Sequence, residues 1–267
     1  MGREKKKEGL CKLTGKHGVF VKSHILPNAL TGRGGKAEPF FEVGLDGKRV
    51  KRYSSWYDYK LVIAEGEKYL EKIDDVAIRE LRKNKLVWSG WGRSNRLVDE
   101  NLYWNEDKSK GMRVIHGFDS RFLRLFVKSV VWRCLSSERN EFSHLPTDVI
   151  DLECLRNSVL NLDPGDALTY PMLVTQIVTK GMTHNHTPVF ETMTFPAQGE
   201  QPSFSIDYYR VYIQGLIVKM IVSLQPSEEK CLGSLLLGQS ENMIASVIPF
   251  ETSRQREDIR TVMRSAR

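Results

Sequence analysis

The run FDSRFLRLFVKSVVWRCLSS, residues 118–137, constrains this chain more than any other stretch. Phe122, Leu123, Phe126, Val127, Val130, Val131 and Cys134 recur at helical spacing and cover more than one narrow stripe, so the spacing predicts a central helix with partners on two sides. Asp119 stands where a cap would accept the first free N–H groups. Arg121, Arg124 and Lys128 share the opposite stripe by the i, i+3, i+7 rule. That stripe reads as a solvated face, with phosphate contact as the alternative. Cys134 reads as an inert packing residue.

Candidate partners for this helix lie on both sides of it in sequence. SSWYDYKLVIAEGEKYLEKIDDVAIRELRKNKL (54–86) reads as helical. Ser54 or Ser55 is its cap, Asp58 falls in its first turn, and Asp74-Asp75 caps a second helix. A further helix is expected over 147–161, ended by DPGD. FFEVGLDGKRVKRYS reads as a hairpin with Asp46-Gly47 in its turn. After residue 163 the character changes. YPMLVTQIVTK, TPVFETMTFP, SIDYYRVYIQGLIVKMIVSL and MIASVIPF are β-prone runs. They predict three to five antiparallel strands, closed by a helix in RQREDIRTVMRS.

Composition sets bounds on function. With 267 residues, 40% of them hydrophobic, the chain can bury a core without disulfides. No apolar run is long enough to cross a bilayer, so no membrane partner is expected. Four cysteines lie far apart with no C-x-x-C, and no signal-peptide pattern opens the chain; a cytoplasmic protein with reduced thiols is expected. The net charge of +7 is concentrated in GREKKKEG, DGKRVKRY and SRQREDIRTVMRSAR. Such an excess favours an acidic partner, nucleic acid first, although solvated ends and loops account for it equally well.

The stretch LCKLTGKHGVFVKSHILPNALT (10–31) carries the most specific signal. Its Cys-x-x-Thr-Gly approach, the SHILP segment and the later SVVWR helix together resemble the HNH nucleases, whose ββα-metal core presents a histidine at a strand end. The likeness is stronger to a bacterial HNH-like group with a C-x-x-C-G knuckle, a glutamate-bearing helix (here EGEKYLEKID) and a long apolar helix with Trp-Arg near its end. It covers the chain up to about Leu160. The resemblance implies an α+β fold: an N-terminal HNH-like ββα element over 11–75 behind a basic tail (1–10), a helical middle (76–163), and an antiparallel β-rich part (164–267). A change of character within one core is the alternative to a boundary near Asp163–Ala167.

The resemblance also implies a site. His24 would be the base and Asn28 its orienter; Asp58 or Glu67 would hold Mg or Mn in an active enzyme that hydrolyses phosphodiester bonds of DNA. Lys22, Lys48, Arg49, Lys51 and Arg52 would meet the DNA backbone. The chain departs from the family where it matters. Thr14 replaces the second knuckle cysteine, and the expected second pair reads Ser54-Ser55, so a structural zinc is not expected. Packing of Phe20, Trp56, Tyr57 and Tyr59 would take its place. Ser23 stands where the family carries an acidic residue. A pseudo-nuclease that binds DNA or a protein partner without cutting is therefore the rival reading, with His24 a relic or a core histidine.

Weaker features remain. THNHTP puts His184 and His186 on one side if extended, though a turn between strands is the commoner explanation. TGRGGKAEP lacks P-loop spacing. Trp88, Trp91 and Trp104 flank the basic segment that holds Arg93 and Arg96; they either pack over a helix, which is commoner, or stack on bases.

Overall fold

The structure, a computed structural model, describes residues 7–31, 40–43, 49–52, 55–182, 184–197, 199 and 202–265. The fold is α+β, as expected. The Gly-rich stretch, the Asp46-Gly47 turn, Lys48, Ser54 and most of the basic tail lie outside the described residues.

Three small strand pairings form the N-terminal part. β1 (Glu8–Leu10) pairs antiparallel with β2 (His17–Val19), so the last residues assigned to a tail are instead a strand. β3 (Ser23–His24) pairs with β6 (Tyr57–Asp58), enclosing the hairpin of β4 (Phe40–Val43) and β5 (Arg49–Arg52). α1 (Ala64–Lys83) follows. It begins about ten residues later than expected, because Leu61, Val62 and Ile63 are apolar side chains buried in extended backbone. It also runs unbroken through Asp74-Asp75. Its inner face is Gly66, Leu70, Ile73, Ala77 and Leu81.

β7 (Leu102–Trp104) and β8 (Gly111–Ile115) form a hairpin inside the stretch expected to be helical. Its turn is built by polar side chains, with Asn105 accepting the Lys110 N–H and Asp107 the Ser109 N–H. α2 (Ser120–Ser136) is the central helix, and Asp119 accepts the Arg121 N–H at its start. α3 (Leu152–Leu160) is capped by Asp151 and starts after the expected residue 147. β9 (Met172–Ile177), β10 (His184–His186), β11 (Val189–Phe195), β12 (Phe204–Ile213), β13 (Leu216–Ile221), α4 (Pro226–Leu232), β14 (Met243–Ile248) and α5 (Arg254–Ser265) complete the chain.

The large sheet has seven strands in the order β11-β12-β13-β9-β14-β8-β7. It is mixed rather than antiparallel throughout, since β14 runs parallel to β9. It also takes in β7 and β8 from the middle third. β10 lies outside it and pairs parallel with β4, tying the basic hairpin to the C-terminal half. One hydrophobic cluster runs from Cys11 and Trp56 through α1 and α2 to β12 and β13.

Two of the three cations in the α2 stripe are not solvated. Arg124 and Lys128 are buried, and they donate to the main-chain carbonyls of Gly165 and Pro164 at 3.0 and 2.6 Å. Arg121, still exposed, pairs with Asp163 at 3.0 Å. The DPGD loop is therefore clamped to the helix. Burial pushes the Lys128 ammonium down to about 8. Burial also raises the Cys134 thiol, in keeping with a packing role.

Arg133 is fully buried on the same helix. Its guanidinium makes a two-pronged pair with Asp74 at 2.6 and 3.0 Å and donates to the His24 carbonyl at 3.1 Å. Burial raises the Asp74 carboxyl, and Arg133 opposes that rise. Arg133→Ala would leave Asp74 buried without its partner, at an expected cost of about 3–5 kcal/mol in urea unfolding. Replacing both, as Arg133→Met with Asp74→Leu, is expected to recover most of that loss; equal instability of single and double variants would refute the assignment.

Candidate functional site

His24 is placed by two strands of two residues each. Ser23 faces Asp58 and His24 faces Tyr57 across the pair. Alternation sends the first couple to one side and the second to the other. Ser23 and Asp58 are buried, whereas His24 and Tyr57 are half-buried. The two rings meet edge to face at 6.4 Å. The Lys22 ammonium lies 4.1 Å from the centre of the Tyr57 ring. Arg139 donates to the Tyr57 carbonyl at 2.7 Å, and Tyr59, half exposed, packs edge-on against Tyr57 at 5.2 Å.

The carboxylates proposed for a metal do not converge with His24. Asp58 accepts from the Lys60 N–H at 2.7 Å and from the Ser137 hydroxyl at 2.6 Å, so both its oxygens are engaged. Glu67 is half-buried on the first turn of α1, in the neighbourhood of Ser23, Arg133 and Asp74. Burial pushes its carboxyl up, the Ser23 hydroxyl and Arg133 pull it down, and Asp74 and Glu71 add to the rise. The Ser23–Glu67 contact is close but poorly aligned, since Ser23 Oγ and Glu67 Oε2 both lack a hydrogen-bond partner of good geometry. Asn28 opens a 3₁₀ turn (Asn28–Leu30), and its carbonyl takes the Thr31 hydroxyl at 2.8 Å. Among the described residues no group of three or more His, Cys, Asp or Glu is placed to hold a metal ion. Of the residues nominated for Mg or Mn, Asp58 has both oxygens in hydrogen bonds and Glu67 keeps Oε2 without a partner. Of the basic hairpin, Arg49, Lys51 and Arg52 pair with Val43, Phe41 and Phe40 along β5.

The knuckle turn survives without its second thiol. Cys11 Sγ accepts the Thr14 N–H at 3.4 Å, and the turn bonds to α1's approach through Lys12 N–H to Leu61 O at 2.9 Å. Sequence reasoning set this turn against Ser54-Ser55. The structure sets it against Leu61 and Gly66, where a Cβ on Gly66 would stand 2.9 Å from Cys11 Sγ. His17, on β2, is exposed.

A second polar cluster was missed, because the expected turn THNHTP is a buried strand. Met182 O and Thr187 O take the Nδ1 positions of His184 and His186 at 2.8 and 2.6 Å. Both Nε2 atoms then face α5: Gln255 at 3.2 Å from His184 and Asp258 at 4.0 Å from His186. The atom placed at His184 Nε2 is Gln255 Oε1; a neutral ring that gives its Nδ1–H to Met182 O needs a donor there, which the amide supplies once its oxygen and nitrogen exchange places. His184 also stacks on Tyr212 at 4.5 Å. Buried Arg210 lies between Glu191 (3.2 Å) and Asp258 (3.5 Å), and Arg254 reaches Glu191 at 3.0 Å. Burial, helped by Arg210, pushes His186 down to about 4, against Asp258 and the Thr187 carbonyl. Burial lowers His184 as well. The cluster is a neutral-histidine clasp for α5.

Comparison with family models, with curated proteins and with solved structures finds no match to this chain.

The clasp has a definite pH signature. A histidine whose folded value lies below its unfolded one binds fewer protons when folded, so stability is retained above about pH 6.5 and lost as the pH falls toward 4. His186→Asn keeps a donor near the Nδ1 position but cannot titrate. Its melting temperature relative to wild type is expected to rise between pH 7 and 4.5 by on the order of 5 °C. Parallel wild-type and variant curves would refute the clasp.

Proposed function

We propose that this chain binds nucleic acid, with DNA as partner, and that its HNH-like element serves binding rather than cutting. The order β3, β6, α1 supports the resemblance, since it supplies two short antiparallel strands followed by a glutamate-bearing helix. The observation that carries the non-cleaving reading is the split across the strand pair. His24, Tyr57 and Lys22 lie on one side, while Asp58 is engaged on the other by Lys60 and Ser137 and Glu67 is buried beside Ser23 and Arg133. A base without a nearby cation site has nothing to stabilise charge on a phosphodiester. What the outer face offers is an ammonium over a phenol ring, with Tyr59 packed against that ring, suited to a phosphate chain. The net charge of +7 acts in the same direction.

Binding of a labelled 20-base-pair duplex should weaken steeply as salt rises. Lys22→Ala should lower the salt slope by about 1 and weaken binding uniformly across sequences. A flat salt response would overturn the binding claim. Plasmid incubated with Mg²⁺ or Mn²⁺ should stay intact with wild type and with His24→Ala. Cleavage by wild type that His24→Ala abolishes would restore the metal-dependent endonuclease reading instead.

A further inference from the structure

The chain has five tryptophans, and four of them are buried: Trp56, Trp88, Trp91 and Trp132 are all at most 7% exposed. Trp88 and Trp91 also give their indole N–H groups to the Ile177 and Lys85 carbonyls, which settles them as packing residues. Trp104 differs. It ends the edge strand β7 and lines an open groove of about 490 Å³, far from the strands that carry His24 in sequence.

The groove has an apolar floor and a cationic rim. Leu97, Leu102 and Val178 form walls beside the indole. Gly111 lies opposite Trp104 in the β7–β8 pair, and a Cβ there would come within 3.1 Å of the ring, so the missing side chain makes room for the indole against the sheet. Arg96 and Lys108 stand at the rim, both exposed, and neither forms an ion pair with a described residue. The one carboxylate in the lining, Asp99, is held by Arg113 at 2.6 and 2.9 Å, so its charge is offset away from the groove. An indole and two cations without an ion partner among the described residues, lining one groove, are the chemistry that recognises a base with its phosphates.

We propose that this groove binds a nucleotide unit of a single strand, its base on the Trp104 indole and its phosphates between Arg96 and Lys108. The proposal extends the nucleic-acid reading to a second face and stands without the Lys22–Tyr57 surface. An extended peptide along the β7 edge is the competing occupant.

The test uses the whole chain and a labelled 12-residue oligothymidylate at 0.1 M salt, read by anisotropy and by tryptophan quenching. Wild type should bind and its emission should fall. Trp104→Ala should weaken binding about 10-fold, within the range for loss of one stacked base. Trp104→Phe keeps a ring and should retain most of the affinity while losing the quench. Arg96→Ala with Lys108→Ala, two surface changes that leave the core intact, should lower the salt slope by about 1.4. Binding that falls with Lys22→Ala and is unmoved by the groove variants would overturn this proposal and leave the duplex reading standing. Absence of oligonucleotide binding, or displacement by polyglutamate as effective as by oligonucleotide, would overturn it too.

Discussion

The buried Arg133–Asp74 pair is the interaction on which the N-terminal half depends. Three elements meet at one guanidinium: α2 supplies it, α1 supplies its carboxylate, and β3 supplies the His24 carbonyl. Ser129 completes the shell with its hydroxyl at 3.0 Å. A charge taken wholly out of water is tolerated only when its donors are matched, so the relative positions of the three elements have little freedom. Strands of two residues cannot hold their own register. β3 keeps its place because its carbonyl is gripped from behind and because β6 is bonded in turn to Ser137 and Arg139 at the end of α2. The position of His24 is thus a consequence of helix packing.

That dependence shapes what the His24 region can do. Of the two acidic candidates, Asp58 is committed to the fold by its hydrogen bonds. Asp58 ties β6 to the end of α2, and Glu67 lies in the same inner environment as Arg133. The outer side keeps the imidazole, the phenol and the lysine. In the other half, the α5 clasp shows the same economy, with histidines held neutral by burial and oriented by main-chain carbonyls. Many polar groups in this protein join elements, whereas Lys22 beside Tyr57 and Arg96 and Lys108 in the groove of Trp104 form no ion pair with a described residue.

Legibility in the sequence followed burial pattern. α2 was readable because seven apolar residues at helical spacing leave no other solution, and its Asp119 cap follows from side-chain chemistry alone. The β4–β5 pairing, the β-prone runs of the last third and the closing helix were readable for similar local reasons. Residues 55–63 misled, since Trp56, Leu61, Val62 and Ile63 are buried ahead of the helix rather than on its inner face. The cations Arg124 and Lys128 misled because hydropathy cannot show that a loop forty residues on will bring carbonyls to them. His184 and His186 misled because a strand buried by a terminal helix has no local mark.

The sequence by itself determined the α+β class, the central helix with its cap, and the shortage of thiolates at the knuckle, because these depend on periodicity, on short-range hydrogen bonds and on residue identity. Only the tertiary structure decided which charges are buried, that β7 and β8 join the C-terminal sheet, and that the acidic candidates lie across a strand pair from His24. The physical reason is range. Local pattern specifies an element, whereas the partner of a buried charge and the face of a two-residue strand are set by contacts between segments 40 to 130 residues apart.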